Sequence, residues 1–447
     1  MSKLSVHIET FGCQMNVSDS ERVATKLTAN GFELTDAADS ADVILLNTCS
    51  IREKAEQKVF RRVSEIKRER AGREPLVGVM GCVAQLEGES IFKNSPSVQI
   101  VAGTGATDRI PSLLERARGG ERHVLDLDER VEGTAFEISP AVRHSNHVAF
   151  VPIIEGGNKF CTYCIVPYSR GRERSRPAFE IIEEVKRLSA DGFREIQLIG
   201  QNVNSYRPKV EKGLEGFAGA TPFSRLLRAV ASTDAPRVKF TTSFPRDFHA
   251  DIVKALEEFE NLCNWVHLPV QSGSNRVLRA MRRGHKIEDY LERVAAVKCS
   301  QREISLTSDI IVGFPGETDE EFEETLSLVE KCEFHGLYIF KYSERPGTPA
   351  AKLNDSVSTN EKRQRFLAVE NVQTSIQSRI YKAYIGKVVE VLVEGYSARS
   401  ESDLTGHTTC HKVVNFGGSA EYIGRIVKVF VTEAKAHSLY GQILEKV

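Results

Sequence analysis

Nine cysteines are scattered over 447 residues, and two of them, Cys161 and Cys164, have two residues between them and Pro167 close behind. Thiolates at that spacing can grip adjacent corners of an iron–sulfur cluster, or supply half of a zinc site. The loop that carries them, Gly156-Gly157-Asn158-Lys159-Phe160-Cys161-Thr162-Tyr163-Cys164, runs into an arginine-dense segment with Arg170, Arg172, Arg174 and Arg176. Such density serves either local ion pairs, for instance to Glu173, or a polyanionic substrate held near a reactive site. Three further cysteines, Cys13, Cys49 and Cys82, each stand just past an apolar run in the N-terminal part of the chain.

The elements that must position those three are legible. Apolar runs at 5–11, 42–47 and 76–80 alternate with segments of helical period at 18–30, 51–70 and 87–92, which predicts βαβ units and a parallel sheet. In an open α/β sheet the carboxyl ends of the strands form the crevice where ligands bind. Cysteines past three successive strands therefore converge on one edge. A lone cysteine is more often a small apolar core residue, but repetition at one structural position argues otherwise. The charged helix after Cys49, with Arg52, Lys54, Lys58, Arg61, Arg62, Lys67, Arg68 and Arg70, reads mainly as a solvated face. Gly119-Gly120 and Pro140 mark 118–147 as an extended connection rather than more sheet.

Further along, a strand at 148–154 and strands at 195–199, 238–242, 266–268, 306–312 and 336–341 alternate with helices at 179–190, 223–231, 252–258, 287–298 and 319–330. About six βα units predict a partial (β/α)6 barrel with its chemistry at the strand C-termini. After a helix at 360–378, short β-branched strands at 387–393, 413–416, 423–430 and 439–444 predict a small antiparallel barrel of the OB-like kind, a module that often binds RNA. The expected class is thus α/β in three domains: an open parallel α/β domain over 1–145, the barrel over 146–375, and the small β-barrel over 376–447.

Hydrophobic content of 41% with 27% charged residues describes a soluble globular chain. No stretch approaches the apolar length of a membrane span, so a cytoplasmic protein without a membrane partner is expected. An odd cysteine count in such a chain points to metal ligation or catalysis rather than a disulfide framework. Cys263, Cys299 and Cys332, in helix-like or helix-end contexts, read as structural. A net charge of −1 neither demands nor excludes a nucleic-acid partner.

The wording around the cysteines adds a resemblance. EGGNKFCTYCIVPYSRGRERSRP, GCQMN, NTCSIRE, the Gly81-Cys82 turn and GQNVNSY resemble the motifs of the radical-SAM methylthiotransferase family, along nearly the whole chain and in the same order. The resemblance implies two [4Fe–4S] clusters. One, an auxiliary cluster on Cys13, Cys49 and Cys82, carries the sulfur to be inserted. The other sits on a CxxxCxxC loop and leaves one iron free to chelate S-adenosylmethionine (SAM). It further implies that Cys161 and Cys164 are catalytic ligands, that Tyr163, Gln201, Asn202, Gln271 and Ser272 face SAM or substrate, and that the last domain is TRAM-like. The implied reaction is methylthiolation at C2 of N6-isopentenyladenosine beside the anticodon (adenosine 37) of tRNA. The implied partners are a tRNA anticodon stem-loop and an external electron donor, and the protein is expected to be a monomer. A sibling enzyme acting on a ribosomal protein or on threonylcarbamoyladenosine tRNA, and a catalytically silent RNA-binding relative, are the alternatives.

The chain departs from the family at two places. In the last domain the family's Gly-Arg-Thr and Asn signals appear as Gly406-His407-Thr408 and Cys410. In the radical-SAM loop, Gly157 stands where the family has its first cysteine. Three readings follow: another ligand completes the site, the cluster is weak or absent, or a point substitution has replaced a cysteine. One base change suffices for the last, which is the leading reading.

Overall fold

The computed structural model describes residues 3–50, 53–69, 75–130, 136, 138–217 and 219–444. Arg52 and Arg70 of the basic helix, and the side chain of Lys54, lie outside this description. The chain forms two compact units. One comprises Met1–Ser145 with Glu155–Asn158 and Ile165–Arg174, and the other comprises Asn146–Ile154, Lys159–Cys164 and Ser175–Val447.

The first unit is built on a six-stranded sheet in the order β2-β1-β3-β4-β5-β6. Its strands are β1 (Ser5–Phe11), β2 (Glu33–Leu34), β3 (Val43–Thr48), β4 (Leu76–Gly81), β5 (Ile100–Ala102) and β6 (Val124–Asp126), all paired in parallel. The run Val43-Ile44-Leu45-Leu46 shows why it is covered on both faces. Val43 and Leu45 enter one core with Val23, Leu27, Ile110 and Leu114, while Ile44 and Leu46 enter another with Val59, Val63 and Ile66. A continuous apolar strand buried on both sides is the signature of such a sheet. The expected plain connection over 118–147 holds β6, a three-residue strand that pairs with β5. The helix expected at 87–92 is two short ones, Cys82–Glu87 and Ser90–Asn94, parted at Gly88, where φ is +49°. The helix expected from residue 18 begins at Gln14, with Cys13 at its N-cap.

The second unit opens with β7 (Val148–Pro152); the two-residue strands β8 (Ile154–Glu155) and β9 (Arg174–Ser175), where the chain passes between the units, flank the cysteine loop in the sequence. Then come β10 (Glu195–Ile199), β11 (Arg237–Phe240), β12 (Trp265–His267), β13 (Ser305–Val312) and β14 (Gly336–Lys341). β7, β10 and β11 form one parallel sheet and β12, β13 and β14 another. A bridge between Val238 and Leu262 continues the curve from one to the other, which makes the expected six-stranded partial barrel. Its core is shared with surrounding helices such as Ala178–Ala190 and Pro222–Ala231, through Ile181, Val185, Leu226 and Val230.

A helix over Thr359–Lys382, its Val369 and Ile376 in that same core, leads to a closed barrel. Its strands β15 (Val388–Ser397), β16 (Ser400–Thr408), β17 (Val413–Gly417), β18 (Ile426–Ala434) and β19 (Leu439–Ile443) run in the order β15-β16-β17-β19-β18. One of its pairings, β17 with β19, is parallel, where an antiparallel barrel was expected.

Buried polar groups fasten this small barrel to the base of the large one. His407 Nε2 lies 2.8 Å from Glu195 Oε2 and His407 Nδ1 lies 3.1 Å from Glu394 Oε1. Gln197 donates to Glu195 Oε1 at 2.7 Å, Arg237 donates to the His407 carbonyl at 3.2 Å, and Lys412 Nζ donates to Ser305 Oγ at 2.8 Å. Burial pulls the His407 imidazole down, but Glu195 and Glu394 hold it up at about 9. Burial pushes Glu195 up, but His407 and Lys239 bring it down to about 2. The imidazole's contribution to stability is complete below its ordinary 6.5 and is lost as pH rises through about 9. The carboxylate's contribution is complete above its ordinary 4.5 and is lost as pH falls through about 2. His411, 2.8 Å from Lys239 Nζ, is kept neutral by burial and opposes folding below about 6.5.

The contribution of His407 should therefore be greatest below pH 6.5 and fade toward pH 9. The thermal midpoint of His407→Gln should lie furthest below the parent's near pH 6.5, because stranding one member of a buried pair costs ~3–5 kcal/mol, and the gap should narrow toward pH 9. Thermal unfolding of both proteins across this range is the check, and a gap that stays constant from pH 6.5 to 9 rules the account out.

Candidate functional site

In the first unit, strand register brings three cysteines into a row. Phe11 of β1 pairs with Thr48 of β3, and Thr48 pairs with Gly81 of β4. Cys49 and Cys82 are the next residues on their strands and Cys13 is the second on its own. Cys49 and Cys82 are buried, while Cys13 is exposed. The Cys13 thiol donates to Asn16 Oδ1 at 3.3 Å, and its neighbour Cys49, with the charge of Arg170, brings it down to about 5. Burial pushes the Cys82 thiol up.

The backbone that presents these thiols is tightly pinned. Asn16 donates to Asn47 Oδ1 at 3.0 Å and to the Thr48 carbonyl at 3.2 Å, while Asn47 donates to the Asn16 carbonyl at 2.8 Å. A Cβ on Gly81, whose φ is +91°, would stand 2.4 Å from Asn47 Oδ1, so only glycine turns the chain here. The hydroxyls of Ser50, next to Cys49 in the sequence, and of Ser18, five residues past Cys13, are buried without a protein partner. Three thiols in a row at three adjacent strand ends, none of them in a disulfide, fit a group larger than one ion. Among the described residues no three His, Cys, Asp or Glu side chains close around a single ion.

The arginine segment is largely spent on internal partners. Arg170 pairs with Asp19 at 2.8 Å, Arg176 pairs with Glu184 at 2.8 Å, and Arg174 donates to the Arg130 carbonyl at 3.3 Å. Arg172 alone of the four is exposed.

In the second unit the candidate residues gather at the C-terminal ends of the barrel strands. Cys161 is buried, and Arg283 donates to its Sγ at 3.5 Å. Thr162 fixes the loop between the two cysteines through bonds to the carbonyls of Met281 at 3.0 Å and Ala280 at 2.9 Å. Cys164 is half-buried, and burial pushes the Tyr163 hydroxyl well above its ordinary range. Past β10, Gln201 Oε1 is buried without a partner, as are Ser243 Oγ past β11 and Gln271 Oε1 past β12. Gln271 holds φ at +82°, and Thr242 holds +65°, a conformation costly for side-chain-bearing residues and characteristic of ligand sites. Three unpaired oxygens at three successive strand ends are acceptors for a polar ligand.

Asn202 lies beside Gln201, its carbonyl bonded by Ser205 N at 3.0 Å. Ser272 is fully buried and its hydroxyl accepts the Ser274 N–H at 3.2 Å, so it serves the loop itself. Sequence reasoning places Ser243 at a strand end, in Thr242-Ser243-Phe244-Pro245, without giving it a role, and it misses Arg283, whose contact with Cys161 spans 122 residues and leaves no sequence signal. Cys263 and Cys332 are buried in this unit, with burial pushing each thiol up to about 12, whereas Cys299 is exposed.

Position 157 has room for a side chain. A Cβ built there meets only Val166 Cγ1, at 3.4 Å, and its φ lies outside the glycine region. At Gly156, by contrast, φ is +77° and a Cβ would stand 2.1 Å from the Arg172 carbonyl oxygen. Asn158 and Lys159 are already engaged: Asn158 Oδ1 accepts Glu173 N–H at 3.2 Å and Lys159 Nζ binds Asp247 at 2.7 Å.

A partial barrel with a cysteine loop after its first strand is the architecture of the radical SAM superfamily, whose family model matches residues 151–329. The model described as uncharacterized protein family UPF0004 matches residues 5–103, and the TRAM domain model matches residues 382–444. The chain belongs to the radical-SAM methylthiotransferase family. It is 44% identical over 444 residues to the tRNA-2-methylthio-N(6)-dimethylallyladenosine synthase of Koribacter versatilis, covering 98% of each chain. It is 45% identical over 441 residues to the Bacillus subtilis protein of the same description, covering 98% of this chain and 85% of that one. Among solved structures, the radical S-adenosylmethionine methyltransferase TsrM from Kitasatospora setae aligns with a TM-score of 0.56 at 15% identity, over 78% of this chain and 77% of that one. The cobalamin-dependent S-adenosylmethionine radical enzyme OxsB aligns with 0.52 at 12% identity, over 83% and 56%. At such identities the likeness is one of fold.

Proposed function

We propose that this chain methylthiolates tRNA at C2 of N6-isopentenyladenosine, adenosine 37 beside the anticodon. The single observation that carries the reading is full-length identity near 44% to synthases of that modification. When bound, two iron–sulfur clusters and SAM supply a methyl group, the transferred sulfur, and a 5′-deoxyadenosyl radical that takes the C2 hydrogen. Cys13, Cys49 and Cys82 would hold the sulfur-carrying cluster, and Cys161 and Cys164 would hold two irons of the other. Gln201, Ser243 and Gln271 offer acceptors to SAM or substrate, Arg283 steadies the Cys161 thiolate, and Tyr163 stays protonated as a donor. The small C-terminal barrel contributes an RNA-binding face. An external donor supplies the reducing electron, and the protein works as a cytoplasmic monomer. Among the described residues no helix is long and apolar enough to cross a membrane.

Gly157 favours a second reading, that the chain as it stands binds RNA without completing the reaction. The two are separated by expressing the chain and its Gly157→Cys variant in a bacterial strain that lacks this modification, then digesting total tRNA to nucleosides. The expected result is 2-methylthio-N6-isopentenyladenosine from the variant and little from the parent. Unmodified isopentenyladenosine from both overturns the proposed substrate.

A further inference from the structure

We propose that Arg170 sets the reduction potential of the cluster held by Cys13, Cys49 and Cys82, by donating a charged hydrogen bond to the Cys82 sulfur while Asp19 holds it in place. The proposal rests on the reading of those three cysteines as ligands. Arg170 closes the short helix Val166–Arg170, six residues past Cys164 in the sequence. Its side chain is 6% exposed and that of Asp19 is 4% exposed, with Nη2 to Oδ2 at 2.8 Å. The last turn of this helix is pinned where Thr104 Oγ1 donates to the Ser169 carbonyl at 2.8 Å.

A guanidinium carries five N–H donors in a rigid fork, and Asp19 Oδ2 takes a bond from one arm. The helix that Arg170 closes packs against the helix that Cys82 opens, and the charge of the guanidinium acts on the Cys82 and Cys13 sulfurs. A cation buried this deeply needs compensating charge. Asp19 supplies one negative charge, and sulfurs ligated to iron supply more. Reduction adds an electron, so the reduced cluster is the more negative form. A positive donor at one of its sulfurs stabilises that form and raises the potential, since potentials follow net charge and hydrogen bonds to sulfur. Asp19 acts in the opposite sense by offsetting part of the positive charge. A mere staple between loop and helix has no such sign: loss of either partner would loosen the loop and leave the potential alone.

Full-length protein carrying Cys161→Ala and Cys164→Ala, reconstituted anaerobically with iron and sulfide, isolates this cluster. Its midpoint potential is read by EPR while dithionite supplies the single electron. Arg170→Gln should move the potential down, Asp19→Asn should move it up, and Arg170→Lys, which keeps the charge and loses the fork, should fall between Arg170→Gln and the parent. Iron content is measured alongside. Opposite shifts with iron retained support the proposal, and so does iron loss in Arg170→Gln alone, provided Arg170→Lys and Asp19→Asn shift as stated. Unmoved potentials, shifts of one sign, or iron loss in all three variants overturn it in favour of a staple. A parent that binds no iron overturns the ligand reading itself, and this proposal with it.

Discussion

Reconstituted anaerobically and reduced, Gly157→Cys should cleave SAM to 5′-deoxyadenosine at least ~100-fold faster than the parent chain. That factor is the upper end of what losing even an outer-sphere partner costs a metal site, and here a direct ligand is missing. The local structure gives the glycine no conformational reason. Its neighbour Gly156 is required by a positive φ and a carbonyl 2.1 Å from any Cβ, whereas position 157 has an ordinary backbone and only Val166 at 3.4 Å. A cysteine therefore enters without strain, and its N–H keeps its bond to the Gly171 carbonyl at 3.1 Å. Nor do the next two residues offer a substitute ligand. The Asn158 amide oxygen, a hard donor poorly suited to iron–sulfur chemistry, is taken by Glu173, and the Lys159 ammonium is held by Asp247. Equal rates of 5′-deoxyadenosine formation from the two proteins would show that the loop works with two thiolates.

Replacing Cys13, Cys49 and Cys82 together by alanine should remove about four irons per chain and an equal amount of sulfide, the content of one cubane cluster. The effect should be as large in Gly157→Cys as in the parent, because the strand register that aligns these thiols involves no residue of the radical-SAM loop. Folding should survive, since Cys49 and Cys82 are small buried side chains and Cys13 is exposed. Iron and sulfide assays after anaerobic reconstitution decide the matter, and unchanged iron would assign these cysteines to packing.

The features read correctly from the sequence are those with local causes. The helix Ile287–Lys298 and the strand Gly336–Lys341 were expected with those bounds, because apolar period alone specifies them. The placement of three cysteines followed from strand ends, which needs no knowledge of the sheet's order. The strand Ser400–Thr408 was missed because SESDLTGHT has neither alternation nor β-branched density, and its conformation is imposed by ladders to neighbours on both sides. β5 and β6 were missed because three residues give no period to read. Around the cysteines, Asn16 and Asn47 lie 31 residues apart, and Asp19 and Arg170 lie 151 apart. Pairings of that range come from the fold. The strained Gln271 is likewise invisible beforehand, since glutamine carries no signal for a positive φ.

The bond between Glu195 and His407 has a consequence for how such proteins can diverge. Glu195 opens a strand of the large barrel, while His407 stands on a strand of the small one. A foreign module grafted in its place would have to bring its own cation to this spot, or the acceptor strand would need a neutral residue in the same step. The two barrels of this chain are therefore bound to change together at this contact.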